Sequence, residues 1–314
     1  MEYARGISPS EVLEMIVFDI GDDISLKKKW EPIRSYIENG NLQDSEILLR
    51  KLLDENETAQ IWNSLFLVYL LSGEEDDAKI ALMNAQDLGP DELSTLNLWG
   101  DAFRLSQTPE IAMYPYQRAI ALFPEHPRAY RMAGVCLYEL ERHRDATRFL
   151  KKAAARDPSD DLNWTLLGVT LTAEGKLNQA ERLLKKYSKK YPNNYGIWFA
   201  LGCVLANKNR WHKAEKCFLR ADKINPGDPS IQVNLAAVYR ATGRPDAAVR
   251  AHRRAIELNP DHFTSWMSYG SYMMEMNCEE EARNAFDRAF EISPESFQDM
   301  VGQVGDELRR HGLM

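Results

Sequence analysis

Cysteine is scarce in this chain of 314 residues: there are four, at Cys136, Cys203, Cys217 and Cys278, and none belongs to a CxxC pair. That spacing argues against a disulfide framework and against a zinc site. All four fall inside helical stretches, so they are expected to be small packing residues in a reducing compartment. The six histidines (His126, His143, His212, His252, His262 and His311) are scattered, with no two at ligand spacing. No run is long and apolar enough to span a bilayer. The segment Val12 to Ile20 is interrupted by Glu14 and Asp19 and follows no basic stretch, so it does not read as a signal peptide, and a cytoplasmic protein is expected. A glycine-rich phosphate loop, a GxSxG elbow and an HExxH pair are all missing. The sequence therefore offers no catalytic residue, metal site or cofactor site, and an enzyme is not expected.

What the sequence does have is a period. Displaced by 34 residues, the segment Asp161 to Asn194 meets Tyr195 to Asp228 with Trp164 on Trp198, Leu167 on Leu201, Gly168 on Gly202, Ala180 on Ala214 and Pro192 on Pro226. The register extends both ways without a gap. An alanine recurs at Ala78, Ala112, Ala146, Ala180, Ala214, Ala248 and Ala282, and a proline at Pro90, Pro124, Pro158, Pro192, Pro226, Pro260 and Pro294.

Each recurring position has a physical use. The small residue at position 8 (Gly100, Gly134, Gly168, Gly202, Ala236, Gly270) and the alanine at position 20 let two helices approach closely. Large residues at positions 4, 7, 11 and 24, such as Trp62, Leu65, Tyr69 and Leu82, fill the space around that crossing. His252 occupies position 24 and is expected to be a packed histidine. The proline at position 32 cannot continue a helix and closes the unit. Gly73, Gly175 and Gly243 mark the turn between the two helices. Pro115 lies inside a second helix and predicts a kink or a late helix start there.

This pattern resembles the tetratricopeptide-repeat (TPR) signature, W-x2-L-G-x2-Y, then A-x3-F, then P. The resemblance implies an all-α fold: a right-handed α-solenoid, or superhelix, of helix-turn-helix repeats with capping helices. Seven units are expected over 59–296 (59–92, 93–126, 127–160, 161–194, 195–228, 229–262 and 263–296). Residues 26–58 read as a degenerate unit carrying Tyr36, Gly40, Ser45, Leu49 and Leu52, without the signature tryptophan or proline. Residues 1–25 and 297–314 read as terminal caps, the latter from the helical spacing of Phe297, Met300, Val301, Val304 and Leu308.

In the TPR family the first helix of each unit lines a concave groove where partners bind, and the resemblance implies the same here. Positions 2, 5, 9, 12 and 13 face that groove. They start with Asn63, Leu67, Leu70, Asn97, Asp101 and Arg104 and end with Met267, Ser271 and Met274. The candidate binding surface is the stretch between: Arg131, Val135, Tyr138, Leu162, Thr165, Val169, Thr172, Phe199, Cys203, Ala206, Asn207, Val233, Ala237 and Arg240. No unit pairs lysine at position 5 with asparagine at position 9, so the clamp of chaperone adaptors for a terminal carboxylate is not expected. The surface is mildly apolar and suits an extended peptide or an amphipathic helix.

Charge is uneven. Residues 1–92 carry a net −12, residues 93–262 a net +10 and residues 263–314 a net −6. Many central bases fall on second helices, the convex side by the same resemblance: Lys151, Lys152, Lys185, Lys186, Lys189, Lys190, Lys213 and Lys216. Such a patch would suit an acidic partner or association of acidic ends with the basic middle of another copy. Nucleic acid is disfavoured, because the bases lack interleaved aromatics and the whole chain is acidic. The leading expectation is a protein-interaction scaffold or adaptor; the alternative is a self-assembling structural protein.

Overall fold

The computed structural model describes residues 24–89, 93–105, 108–294 and 296–298. The expected N-terminal cap, apart from its last two residues, and most of the expected C-terminal cap lie outside these residues. Among the described residues all regular structure is helical. The chain forms two compact units, Met1–Asn163 and Trp164–Met314.

Among its described residues the first unit contains four antiparallel helix pairs: α1 (Ile24–Glu38) with α2 (Leu42–Glu55), α3 (Ala59–Ser72) with α4 (Glu75–Leu88), α5 (Leu93–Leu105) with α6 (Pro109–Leu122), and α7 (Pro127–Glu139) with α8 (His143–Arg156). The division falls inside α9 (Asp161–Ala173). The second unit continues with α10 (Leu177–Lys190), α11 (Tyr195–Asn207), α12 (Trp211–Ile224), α13 (Pro229–Ala241), α14 (Pro245–Leu258), α15 (Phe263–Glu275) and α16 (Glu279–Ile292).

The helices of a pair cross where the sequence places its small residues. A methyl group added to Gly202 would meet the Phe218 ring at 2.6 Å, and one added to Gly134 would meet Leu150 at 2.8 Å. Gly100 faces Tyr116, Gly168 faces Leu184 and Gly270 faces Phe286 in the same way. Position 8 thus lies under position 24 of the same pair. The position-20 alanines, among them Ala112, Ala146, Ala180 and Ala214, are fully buried at the crossing.

Wherever the turn within a pair is described, it is built on one left-handed residue, at position 15. Gly40, Gly73, Gly175 and Gly243 take this conformation, and so do Glu141, Asn209 and Asn277. The next backbone N–H then bonds back to position 11, as from Glu74 to the Tyr69 carbonyl (2.9 Å) and from Arg210 to that of Leu205 (2.9 Å). This is the Schellman closure of a helix C-terminus. At two signature tryptophans the indole ties successive pairs together. The indole of Trp198 donates to the Pro192 carbonyl at 3.0 Å, and that of Trp266 to the Pro260 carbonyl at 2.7 Å.

Two sequence expectations are corrected. The helix carrying Pro115 does not start late: α6 runs unbroken from Pro109, three residues before its position-20 alanine, like the other second helices. Proline suits the first helical position, and the buried side chains of Ala112, Tyr116 and Ala119 anchor the helix despite the missing N–H of Pro115. Trp30, one residue past the signature position of the first pair, is buried with Ile33, Ile37 and Leu49. Cys278 is not a packing residue: it is exposed at the N-terminal end of α16, whereas Cys136 and Cys217 are buried and Cys203 is half-buried. His252 is a core residue, between Tyr269 and Tyr272 of the next pair at ring distances of 5.9 and 5.5 Å.

Candidate protein-binding surfaces

The first-helix faces differ between the two units. In α3 and α5 the groove positions are closed. Asn63, Leu67, Leu70, Asn97 and Asp101 are buried, which corrects the expectation that they line an open surface. Neighbouring first helices cover them. The Asn63 amide donates to Thr95 at 3.1 Å. The Asp101 carboxylate accepts from Tyr116 of its own pair and from Arg128 of α7, the latter at 2.7 Å. Met267 on α15 is buried as well.

Further along the first unit the surface opens. Tyr138 and Leu162 are exposed and Val135 is half-buried. Arg131 is half-buried and ion-paired with Asp160. Arg104 reaches Glu139 on the next first helix at 3.1 Å.

In the second unit α9, α11 and α13 are neighbours. Thr165 packs against Gly196, where an added methyl group would lie 3.2 Å away, and the Cys203 thiol lies 4.0 Å from the Asn234 carboxamide oxygen. Their outward positions form rows of one composition. Val169, Phe199 and Val233 are half-buried, as are Thr165, Thr172, Cys203 and Ala206, whereas Asn207, Ala237 and Arg240 are exposed. Two of these side chains are tied down locally. Phe199 packs on Phe218 at 5.7 Å, and the Thr172 hydroxyl donates to the Gly168 carbonyl at 2.8 Å. Arg240 pairs with Glu275 on α15 at 2.8 Å, repeating the rung that Arg104 makes with Glu139. The surface is therefore a shallow, uncharged strip ending in one arginine. Burial pushes the Cys203 thiol up to about 12, so it is a neutral lining group.

All eight lysines of the basic patch are exposed: Lys151 and Lys152 on α8, Lys185, Lys186, Lys189 and Lys190 on α10, and Lys213 and Lys216 on α12. They do not lack aromatic neighbours, which corrects the sequence reading. Lys152 lies over Tyr130 and Phe149, Lys186 lies 5.2 Å from the Tyr187 ring and Lys190 lies 4.8 Å from that of Tyr191. Trp164 stacks on Tyr187 at 3.9 Å, and Tyr187 is itself buried, so this ring is part of the helix packing.

The outer side of the first unit holds a feature that the repeat reading passed over. A cavity of about 350 Å³ opens between α4 and α5, lined by Phe66, Leu82, Met83, Trp99 and Phe103. The signal was in the sequence. Phe66 stands at position 8, where the other full units carry glycine or alanine.

Among the described residues, no group of three or more His, Cys, Asp or Glu side chains stands together as a metal site. No helix there is long and apolar enough to cross a membrane.

Comparison with known proteins agrees with this architecture. No curated protein sequence matches the chain. Yeast Tom70 superposes with a TM-score of 0.66 at 15% identity, over 96% of this chain and 69% of that one. A tetratricopeptide repeat protein from Parabacteroides merdae also gives 0.66, at 13% identity over 79% of this chain and 98% of its own. The APC/C hetero-tetramer Cut9-Hcn1 gives 0.61 at 16% identity over 93% of this chain, which spans 62% of the matched chain's length. These likenesses establish the fold, an α-solenoid of TPR helix pairs. The family model of the cilia and flagella-associated protein 70 C-terminal domain, a TPR domain, matches residues 92–303, about two thirds of the sequence, and the chain belongs to that family.

Proposed function

We propose that the chain is a non-catalytic interaction scaffold that receives an extended peptide or an amphipathic helix of a protein partner along the first-helix faces of its second unit. The observation that carries this reading is the strip of Val169, Phe199, Val233 and Ala237 on consecutive first helices, bordered by Thr165, Asn207 and Arg240. Apolar side chains left half-open in a row match alternate side chains of an extended ligand or one face of a helix. Arg131, Val135, Tyr138 and Leu162 offer a second group of contacts on the first unit. The family name associates that protein with cilia and flagella, and a reducing compartment there, continuous with the cytoplasm, suits four free cysteines.

The test is binding of the native partner, captured with the wild-type chain and identified, to two variants. Ala237→Trp fills the strip from an exposed position, and Val169→Asp places a charge in it. Loss of at least about tenfold in affinity with unchanged helicity supports the groove. Full affinity in both variants would remove the groove from the account.

Charge on the outer helices favours a second reading. Helices α2, α4 and α6 together carry nine acidic and four basic residues, whereas α8 carries one acidic and five basic and α10 the same. Acidic and basic faces of different copies could assemble head to middle. Sedimentation at low and high salt tests this, because such contacts weaken with ionic strength. A monomer at every salt concentration ends the self-assembly reading.

A further inference from the structure

Position 22 points outward from the second helix of each pair. It is Arg148 on α8, Arg182 on α10, Lys216 on α12, Arg250 on α14 and Asn284 on α16, but Ile47 on α2, Ile80 on α4 and Tyr114 on α6. All three of these apolar side chains are more than half exposed. One turn from Ile80 lies Met83, 62% exposed, and one turn from Tyr114 lies Ile111, also exposed. The two helices' patches are joined by one side chain: Trp99 lines the α4–α5 cavity together with Met83 and meets the Tyr114 ring edge-on at 5.8 Å. The result is a largely apolar surface beside a cavity whose lining also includes Lys79 and Gln86. Both ends are acidic. Asp76, Asp77 and Asp87 flank it on α4 and Glu110 on α6, while Lys79 is paired with Asp76 at 3.1 Å.

We infer that this outer face of the first unit is a second docking site, and that its occupant is a basic amphipathic helix of a partner protein, with one large apolar side chain seated in the α4–α5 cavity. This site is independent of the groove under Proposed function. Contiguous exposed apolar surface of this kind marks an interaction site. A helix presents apolar anchors at i, i+3, i+4 and i+7 and keeps its charge on the other face, so lysines and arginines along its flanks would meet Asp76, Asp77, Asp87 and Glu110. A second copy of this chain fits less well: its basic outer helix α8 carries Arg144, Arg148, Lys151 and Lys152 with no exposed large apolar residue among them, and basic α12 exposes a single one, Leu219, too few for anchors at i, i+3 and i+7.

The experiment uses the full chain and three synthetic helices of about 18 residues: leucine at the anchor positions with lysine elsewhere, the same composition scrambled, and the striped design with glutamate for lysine. Fluorescence anisotropy should show saturable binding of the striped basic helix only. Met83→Glu and Tyr114→Glu, both at exposed positions, should each weaken it by at least about tenfold, while Val169→Asp should leave it unchanged. No saturation by the striped basic helix overturns the proposal. So does equal binding of the scrambled peptide, which would reduce the effect to net charge. Indifference to Met83→Glu and Tyr114→Glu overturns the location. If the wild-type chain instead self-associates and Met83→Glu alone makes it monomeric, the occupant is a second copy and the proposal fails.

Discussion

Arg244 grips Glu215 across the junction of two helix pairs with two hydrogen bonds, of 3.0 and 2.7 Å. Arginine at position 16 thus meets glutamate at position 21 of the pair before it, and the same register recurs between Arg210 and Glu181 at 2.9 Å. Glu181 also accepts from Lys185 and Lys208, and these bonds, led by that from Lys185, pull its carboxyl down to about 2. A carboxylate whose folded value is depressed contributes stability above its ordinary value near 4.5, and that contribution is lost as pH falls from there toward 2. Glu181→Gln should lower stability at pH 7 by about 1 kcal/mol, as measured by urea unfolding, and the difference should narrow below pH 4.5 and close only as pH reaches about 2. An equal deficit at both pH values would show that packing, not charge, ties the junction.

His252 should act in a different window. Burial holds it down to about 4, with Arg240 adding a smaller push in the same direction. A buried neutral histidine contributes stability above its ordinary value of 6.5 that disappears as pH falls through that value toward 4. His252→Leu should therefore flatten the fall in melting temperature between pH 7 and pH 5. Wild type and variant losing stability in parallel over that range would show that other groups govern it.

The close crossings should tolerate almost no added volume. Gly202→Ala puts a methyl group 2.6 Å from the Phe218 ring and should cost about 1–3 kcal/mol in chemical unfolding. Phe218→Leu in the same chain should recover part of that loss. If the double variant is as unstable as the sum of the two singles, the two residues do not share the crossing.

Thiol chemistry should separate the four cysteines. Burial pushes the Cys136 thiol up to about 12 and the Cys217 thiol up to about 11, with Cys203 also near 12, whereas Cys278 is exposed. A maleimide reagent at pH 7 should modify Cys278 alone in the folded chain and all four in urea. Rapid modification of Cys203 under native conditions would mean that the α9–α11–α13 strip opens more widely than its burial indicates.

The fold was legible because its geometry depends on residue size at fixed positions. A small residue at position 8 in most pairs and an alanine at position 20 in every full unit make the close crossings, and together they set the register of the array. The turn was only partly legible. Glycine signals a left-handed residue, but Glu141, Asn209 and Asn277 adopt the same conformation because the closing hydrogen bonds hold it. The groove was legible as a helix face but not as a surface. Periodicity places Asn63, Leu67 and Asp101 on that face, yet whether a neighbouring helix covers them depends on contacts such as Asn63 with Thr95, between residues 32 apart. A late start at Pro115 is expected from propensity because it counts a lost hydrogen bond without the buried neighbours that anchor the helix from Pro109. The outer cavity was written in one departure, Phe66, and its meaning depends on Trp99 and Phe103 from the next pair.

The indole bonds of Trp198 and Trp266 bear on where this array can be cut and rejoined. Each tryptophan opens a sequence repeat, yet its partner carbonyl, at Pro192 or Pro260, ends the one before. A fragment trimmed at the sequence boundary would strand the indole. A fragment that keeps the preceding second helix and its proline would carry the joint intact. The unit that can be transplanted between arrays, by an engineer or by gene duplication, is therefore offset from the unit that the alignment displays.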